Sequence, residues 1–213
     1  MCCAVVRAIA ATLMIATLVS CGFDRPSSVA PTNYDLGPPP RYSRANPAIA
    51  GTVLIPTARA PAWLDEPGIA YRLLYEERDQ PRTYAMSRWA ADPAALLTER
   101  IRSRFAAVSG GVVTPVDTSS ADYTLRVDLD DFSQRFDAPS HSRATLIARA
   151  SLLSTRDRKL VAQRTFAIER EAAPDAAGAV RALTEASGEF VEELVKWAID
   201  SARAPGEKQA GGE

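Results

Sequence analysis

The sequence predicts one α+β domain: a twisted, largely antiparallel sheet with two amphipathic helices packed on it. Three observations predict this. The stretches Tyr123–Phe136, Ala144–Leu152 and Leu160–Ile168 alternate apolar and polar residues, as half-buried strands do. The stretches Leu97–Val108 and Val180–Ala198 repeat apolar residues at three and four, one helical stripe each. No cysteine follows Cys21, so a hydrophobic core rather than disulfides must hold the body together.

Taken in order, Tyr34-Asp35-Leu36 is a short extended piece, stopped by Gly37 and the stiff Pro38-Pro39-Pro40. Ile49–Ile55 reads as a strand ended by Pro56. After Trp63-Leu64-Asp65 and the Pro67-Gly68 turn, Ile69, Tyr71, Leu73 and Tyr75 alternate as a second strand. Thr83–Met86 makes a third. Trp89 leads to the first helix, where Asp92 is the N-cap and Pro93 the first helical residue. Leu97, Ile101, Phe105 and Val108 form its stripe, and Gly110-Gly111 is expected to end it. Arg100, Arg102 and Arg104 leave it on other faces. They offer an anion patch or, more ordinarily, a solvated surface.

Val112–Val116 reads as the next strand. In the following stretch, Tyr123, Leu125, Val127 and Leu129 share one face, and Phe132, Gln134 and Phe136 continue it one residue out of phase. A slip of one inside a strand requires a bulge, here at Asp130-Asp131. Ala144, Leu146, Ala148, Ala150 and Leu152 follow on the second strand of a meander. Leu160, Ala162, Phe166 and Ile168 follow on the third, with Arg164 as an exception. The alanines call for a helix packed close against them. Asp175 caps that helix, which runs to about Ala204 with Gly178 and Gly188 as weak points. Trp197 near its end reads as core more readily than as a partner contact.

The chain opens with Arg7, an apolar run Ala8–Val19, and Leu18-Val19-Ser20-Cys21. This is the pattern of an export signal ending in a lipobox. Ser20 is the small residue before the cut, and Cys21 supplies the thiol that takes the lipid and becomes the new N-terminus. The apolar run falls short of the roughly 20 residues of a spanning helix. Residues 1–20 are therefore expected to be removed. Residues 21–33, with two prolines and no periodicity, read as anchor and tether with a reach of about 20 Å. Residues 34–203 form the domain, and residues 204–213 a polar, disordered tail.

Removing residues 1–20 takes away Arg7 alone, leaving 24 basic and 26 acidic side chains. That near-balance, without a dense Lys/Arg stripe, argues against nucleic acid as a partner. With Cys21 consumed by lipid, a cysteine-based zinc or redox centre is excluded. His141 is the single histidine, so any Ser-His chemistry must use it. It sits in Ser140-His141-Ser142, a turn, where an idle histidine is the commoner explanation. Asp128, Asp130 and Asp131 lack the glycine and distal glutamate of a calcium loop. No phosphate-binding glycine loop and no Gly-x-Ser-x-Gly elbow is present. The sequence thus predicts no catalytic residue, no cofactor and no metal site. The expected sites are Ser20 and Cys21 for cleavage and Cys21 for lipidation.

Several segments stand in a recognisable order: Tyr34-Asp35-Leu36-Gly37; Trp63-Leu64-Asp65 with Ile69-Ala70-Tyr71-Arg72; Tyr84, Arg88-Trp89-Ala90 and Asp92-Pro93; Tyr123-Thr124-Leu125; Phe132-Ser133-Gln134-Arg135-Phe136; and the Ala182-Leu183 helix ending at Trp197. Behind a lipobox, this set resembles the ABC-type transport auxiliary lipoprotein family. The resemblance implies a non-catalytic subunit of an MCE-type (mammalian cell entry) lipid-trafficking ABC system. Its implied partners are an MCE-domain protein, a permease and an ATPase, with lipid and further copies of itself as additional candidates. Gly22 rather than Asp after Cys21 favours the periplasmic face of the outer membrane. The rival roles are an outer-membrane assembly-factor lipoprotein and an envelope hydrolase using His141.

Overall fold

The computed structural model describes residues 30–40, 42 and 47–207. Ser20, Cys21 and the 1–20 segment lie outside the described residues. The elements are β1 (Thr32–Tyr34), β2 (Ile49–Leu54), a 3-10 turn (Ala62–Leu64), β3 (Gly68–Leu73), β4 (Arg82–Trp89), α1 (Pro93–Val108), β5 (Ser109–Val113), β6 (Tyr123–Ala138), β7 (His141–Ser154), β8 (Lys159–Ala172) and α2 (Ala176–Glu207). The fold is α+β, with one eight-stranded mixed sheet.

β6 organises the sheet. One edge pairs antiparallel with β7 along nearly its whole length, and β7 pairs in turn with β8. The other edge is shared by three pieces that all run parallel to β6. β2 lies beside Tyr123-Thr124, Arg59 bridges to Asp128, and β3 lies beside Ser133–Phe136. β5 extends β2 in parallel, while β4 and then β1 extend β3. The meander and the β3–β4 pair are the antiparallel parts of the sheet, and most of the parallel joins gather on the far edge of β6.

The predicted bulge is present. The β6–β7 register slips between Leu129 and Asp131. Leu125, Val127 and Leu129 before it and Phe132, Gln134 and Phe136 after it are all buried. The slip also places Asp131 and Ser133, both buried, on the opposite face. A second slip was not foreseen. It falls between Leu152 and Leu153 in the β7–β8 ladder. It turns Leu160, expected inside, to the outer face beside Leu153, where it is 56% exposed.

α2 lies across β7 and β8 and reaches β6. Ala144, Ala148 and Ala150 are fully buried, as are Ala179, Ala186 and Phe190 of the helix. Small residues on both surfaces let backbones approach and leave room for rings. Phe190 meets Phe166 edge-on at 5.4 Å, and Trp197 meets Phe166 at 5.9 Å. Arg164, the inward exception, lays its guanidinium 4.7 Å from the Phe166 ring centre and reaches Glu193 of α2 at 3.5 Å. On the other side of the core, Trp89 packs on Phe132 at 5.6 Å.

Both helix caps form as read. The Ala95 N–H donates to Asp92 Oδ1 at 2.7 Å, and the Gly178 N–H to Asp175 Oδ1 at 2.6 Å. Gly178 is no weak point: a Cβ there would stand 2.3 Å from the Ala173 carbonyl oxygen. Gly110-Gly111 does not end α1 with a left-handed turn. The helix passes at Ser109 (φ −114°, ψ 169°) straight into β5, and the two glycines belong to that strand. The expected strand Val112–Val116 accordingly starts and stops three residues earlier. α2 runs to Glu207, past the expected end near Ala204, and β1 begins at Thr32, inside the segment read as tether.

Candidate functional surface

The described residues show how the N-terminal side of the domain is strapped to its body. β1 docks on β4 with Tyr34 opposite Trp89. The Arg88 Nε donates to Asn33 Oδ1 at 2.8 Å, and the Ala90 N–H to the Tyr34 carbonyl at 2.6 Å. The chain then turns at Gly37 (φ 73°), where the Asp35 carboxylate accepts the Gly37 N–H at 2.7 Å. Leu36 is buried in the core. The Tyr34-Asp35-Leu36-Gly37 segment is therefore a clasp: a strand, a buried leucine and a turn that needs glycine.

The three α1 arginines are tie points, and neither sequence reading anticipated that. Arg100 donates to the Gly37 carbonyl at 3.3 Å, holding the clasp. Arg102 donates from both Nε and Nη2 to the Ile55 carbonyl, at 3.0 and 2.9 Å, and pairs with Glu99 at 2.7 Å. Arg104 makes a two-point pair with Glu192 of α2, at 2.8 and 3.0 Å, and lies 4.7 Å from the Tyr42 ring centre. The electrostatics agree with this placement. Burial lowers the Arg100 pKa, while the Glu192 carboxylate raises that of Arg104. Burial, then Glu192, raises that of the Tyr42 phenol. No local pattern marked these roles, because every partner except Glu99 is distant in sequence.

A buried polar network closes the other end of β6. Gln134 is fully buried. Its Oε1 accepts the Tyr84 hydroxyl at 2.6 Å, and its Nε2 donates to Ser142 Oγ at 2.7 Å and to the Ala173 carbonyl at 2.8 Å. The Ser142 hydroxyl donates onward to the Ala172 carbonyl. A satisfied network of this kind fixes strand register. Burial pushes the Tyr84 phenol up from 10.0 to about 12. The folded state thus keeps a proton that the unfolded chain releases near pH 10. This contribution is complete below pH 10 and is lost as pH rises toward 12. Urea-unfolding midpoints at pH 8, 10 and 11 are expected to fall faster for the wild type than for Tyr84→Phe. That variant starts about 1 kcal/mol lower for the lost hydrogen bond. Parallel curves would refute this role for Tyr84.

The residues that suggested chemistry are not assembled into a site. His141 is exposed at the start of β7, opposite Ala138. Its neighbour Ser142 is committed to the network, and the nearby Asp137 is paired with Arg143. Asp131 is held by Ser133 and Arg135, while Asp128 faces Arg149 at 3.8 Å, so the two carboxylates are committed to separate partners. Among the described residues no three His, Cys, Asp or Glu side chains are grouped to hold a metal. Among them, too, no helix is long and apolar enough to cross a membrane.

Solved structures share this fold. Protein XCC0632 from Xanthomonas campestris, of the DUF330 family, superposes with a TM-score of 0.66 at 24% identity, covering 84% of this chain and 98% of its own. An uncharacterized protein superposes with a TM-score of 0.60 at 16% identity, covering 79% of this chain and 99% of its own. No curated protein matches the chain. The family model described as the ABC-type transport auxiliary lipoprotein component matches residues 34–195. That span takes in the clasp, every strand from β2 onward and most of α2, and the chain belongs to the ABC-type transport auxiliary lipoprotein component family.

Proposed function

We propose that the protein is a non-catalytic, outer-membrane-anchored subunit of an MCE-type ABC system. In this reading it docks or receives a periplasmic assembly that moves lipid between the membranes. The single observation that carries the reading is the family match, which begins at residue 34, soon after the Cys21 lipobox. A transport auxiliary lipoprotein is a membrane-attached partner of a transporter, and the lipobox supplies the attachment. The lipid anchor suits a stable post. At about 0.8 kcal/mol per buried methylene, one chain binds reversibly and two or three hold far longer.

The test is cross-linking in the native host followed by mild-detergent affinity purification and mass spectrometry. MCE protein, permease and ATPase are expected among the partners, with the N-terminal peptide carrying lipid on Cys21. Cys21→Ser should remain as an unlipidated precursor. Recovery of porins or assembly machinery in place of the transporter would overturn the MCE assignment. An unlipidated N-terminal peptide in the wild type would overturn the anchor.

A further inference from the structure

The sheet face turned away from the helices carries a recess of about 220 Å³ near the start of β6. Its walls combine charge and hydrocarbon. Arg59 and Arg126 border it on one side, Leu153 and Leu160 on the other, with Ser151 and Asp128 on the rim. The placement follows from the topology. Arg59 sits in the β2–β3 connection, but its backbone is locked to β6: its N–H donates to the Val127 carbonyl at 3.0 Å, and its carbonyl accepts the Leu129 N–H at 2.7 Å. Arg126 stands opposite Ser151 in the β6–β7 ladder. Leu160 reaches this face through the second register slip.

Two features single the recess out from ordinary polar surface. Nine ion pairs are formed among the described residues, and neither Arg59 nor Arg126 takes part in any. The one carboxylate on the rim, Asp128, has its cation at 3.8 Å, a loose pair. In addition, Leu160 is among the few large apolar side chains left exposed. The adjoining β7–β8 turn adds exposed Arg156, Arg158 and Lys159, also outside every ion pair, while its Asp157 is occupied by Ser154.

Guanidinium groups match phosphate oxygens geometrically, and an apolar wall beside them accepts methylenes. A small free anion would gain nothing from Leu153 and Leu160. A neutral hydrocarbon would leave both arginines idle. We propose that this recess binds the phosphate-bearing head of an amphiphile. The phosphate lies between Arg59 and Arg126, and the first methylenes of its tails rest on Leu153 and Leu160. Asp128, loosely paired, stands where the ammonium of a phosphoethanolamine head would fall. The site rests on the lipid-trafficking reading only for where such a molecule comes from; the binding is a property of this chain alone.

The test uses the mature lipidated protein in amphipol, titrated calorimetrically with dihexanoylphosphatidylethanolamine. Saturable binding is expected. Arg59→Gln with Arg126→Gln should weaken it at least tenfold, and Leu160→Asp should weaken it as well. All three side chains are exposed, so the melting temperature should stay within a degree or two. Inorganic phosphate and dihexanoylglycerol should each bind at least tenfold more weakly than the phospholipid. No binding by the wild type, or undiminished binding by the double variant, overturns the site. Inorganic phosphate binding as tightly makes it a free-phosphate site, and dihexanoylglycerol binding as tightly makes it a plain apolar cleft; either result overturns the proposal. The native-host cross-linking described above, read beside this titration, separates the two readings. Lipid bound without transporter partners removes the MCE assignment and keeps the recess, and partners without bound lipid do the reverse.

Discussion

Phe132→Asp is expected to abolish folding. Phe132 is fully buried, packs on Trp89 at 5.6 Å, and stands on the strand that every other part of the sheet adjoins or builds on. An aspartate there would replace a ring that lies inside the hydrophobic core. It either stays charged in hydrocarbon or takes up a proton, and the ring's packing is lost in both cases. The two losses together amount to several kcal/mol, against a typical domain stability of about 5–15 kcal/mol. The expected observation is insoluble protein, or a chain without near-ultraviolet circular dichroism and without a cooperative urea transition. The inward position of Phe132 depends on the slip at Asp130, so the variant also tests the bulge. A soluble Phe132→Asp protein with a sharp transition would mean that the side chain faces water.

Gly51→Ala is expected to cost roughly 2–5 kcal/mol. Two effects add. Gly51 has φ +104°, a conformation that costs an L-residue about 1–3 kcal/mol. Its Cβ would also stand 2.3 Å from Asp122 Oδ2. That carboxylate accepts the Thr52 N–H at 2.7 Å, and withdrawing it loses this exposed hydrogen bond, at about 0.5–1.5 kcal/mol. Relaxation of the backbone the other way is blocked. A Cβ on Gly110 would already lie 2.8 Å from the Gly51 carbonyl oxygen, so β2 and β5 touch with no space between them. For a domain of this size the loss corresponds to a fall in melting temperature of roughly 5–20 °C. Calorimetry on Gly51→Ala, Asp122→Ala and the double variant tests the cause. The double variant should fall short of the sum of the singles. A Gly51→Ala melting point within a degree of wild type would contradict the account.

The parts of the fold that were legible in the sequence are those specified locally. Alternation over Tyr123–Phe136 fixes which face is inside and betrays the bulge, because a phase shift in a long strand has one geometric meaning. Asp92-Pro93 and Asp175 announce their helices through the caps that they form. What sequence could not show is non-local. The short strands β1, β2, β3 and β5 have clear propensities but nothing that names their neighbours, so their parallel joins were not foreseen. Gly110 was misread because a helix C-cap glycine and a close-approach glycine look alike until Gly51 is seen beside it. Leu160 was misplaced because the slip beside it falls in a turn-proximal stretch with no alternation to betray it. Of the candidate sites, the Cys21 lipobox is a contiguous pattern and so can be read from sequence alone, and it lies outside the described residues. The clasp was visible only as a motif without a meaning, and Arg59 of the recess as an undistinguished loop residue.

The arrangement of partners around β6 has a consequence for the order in which the chain acquires structure. β2 and β3 reach it across sequence separations of 70 and 63 residues, as Val53 to Tyr123 and Ala70 to Ser133. A ribosome or translocon delivers the chain from its N-terminus, so Thr32–Val113 emerges as hairpin-scale fragments with no central strand to join. Non-local pairing of this kind folds slowly, because loop closure precedes the contacts that reward it. The half delivered first therefore waits in a loosely structured state, compatible with threading, until the template strand and its meander arrive. Stability then comes nearly all at once, on the far side of whatever barrier the chain has crossed.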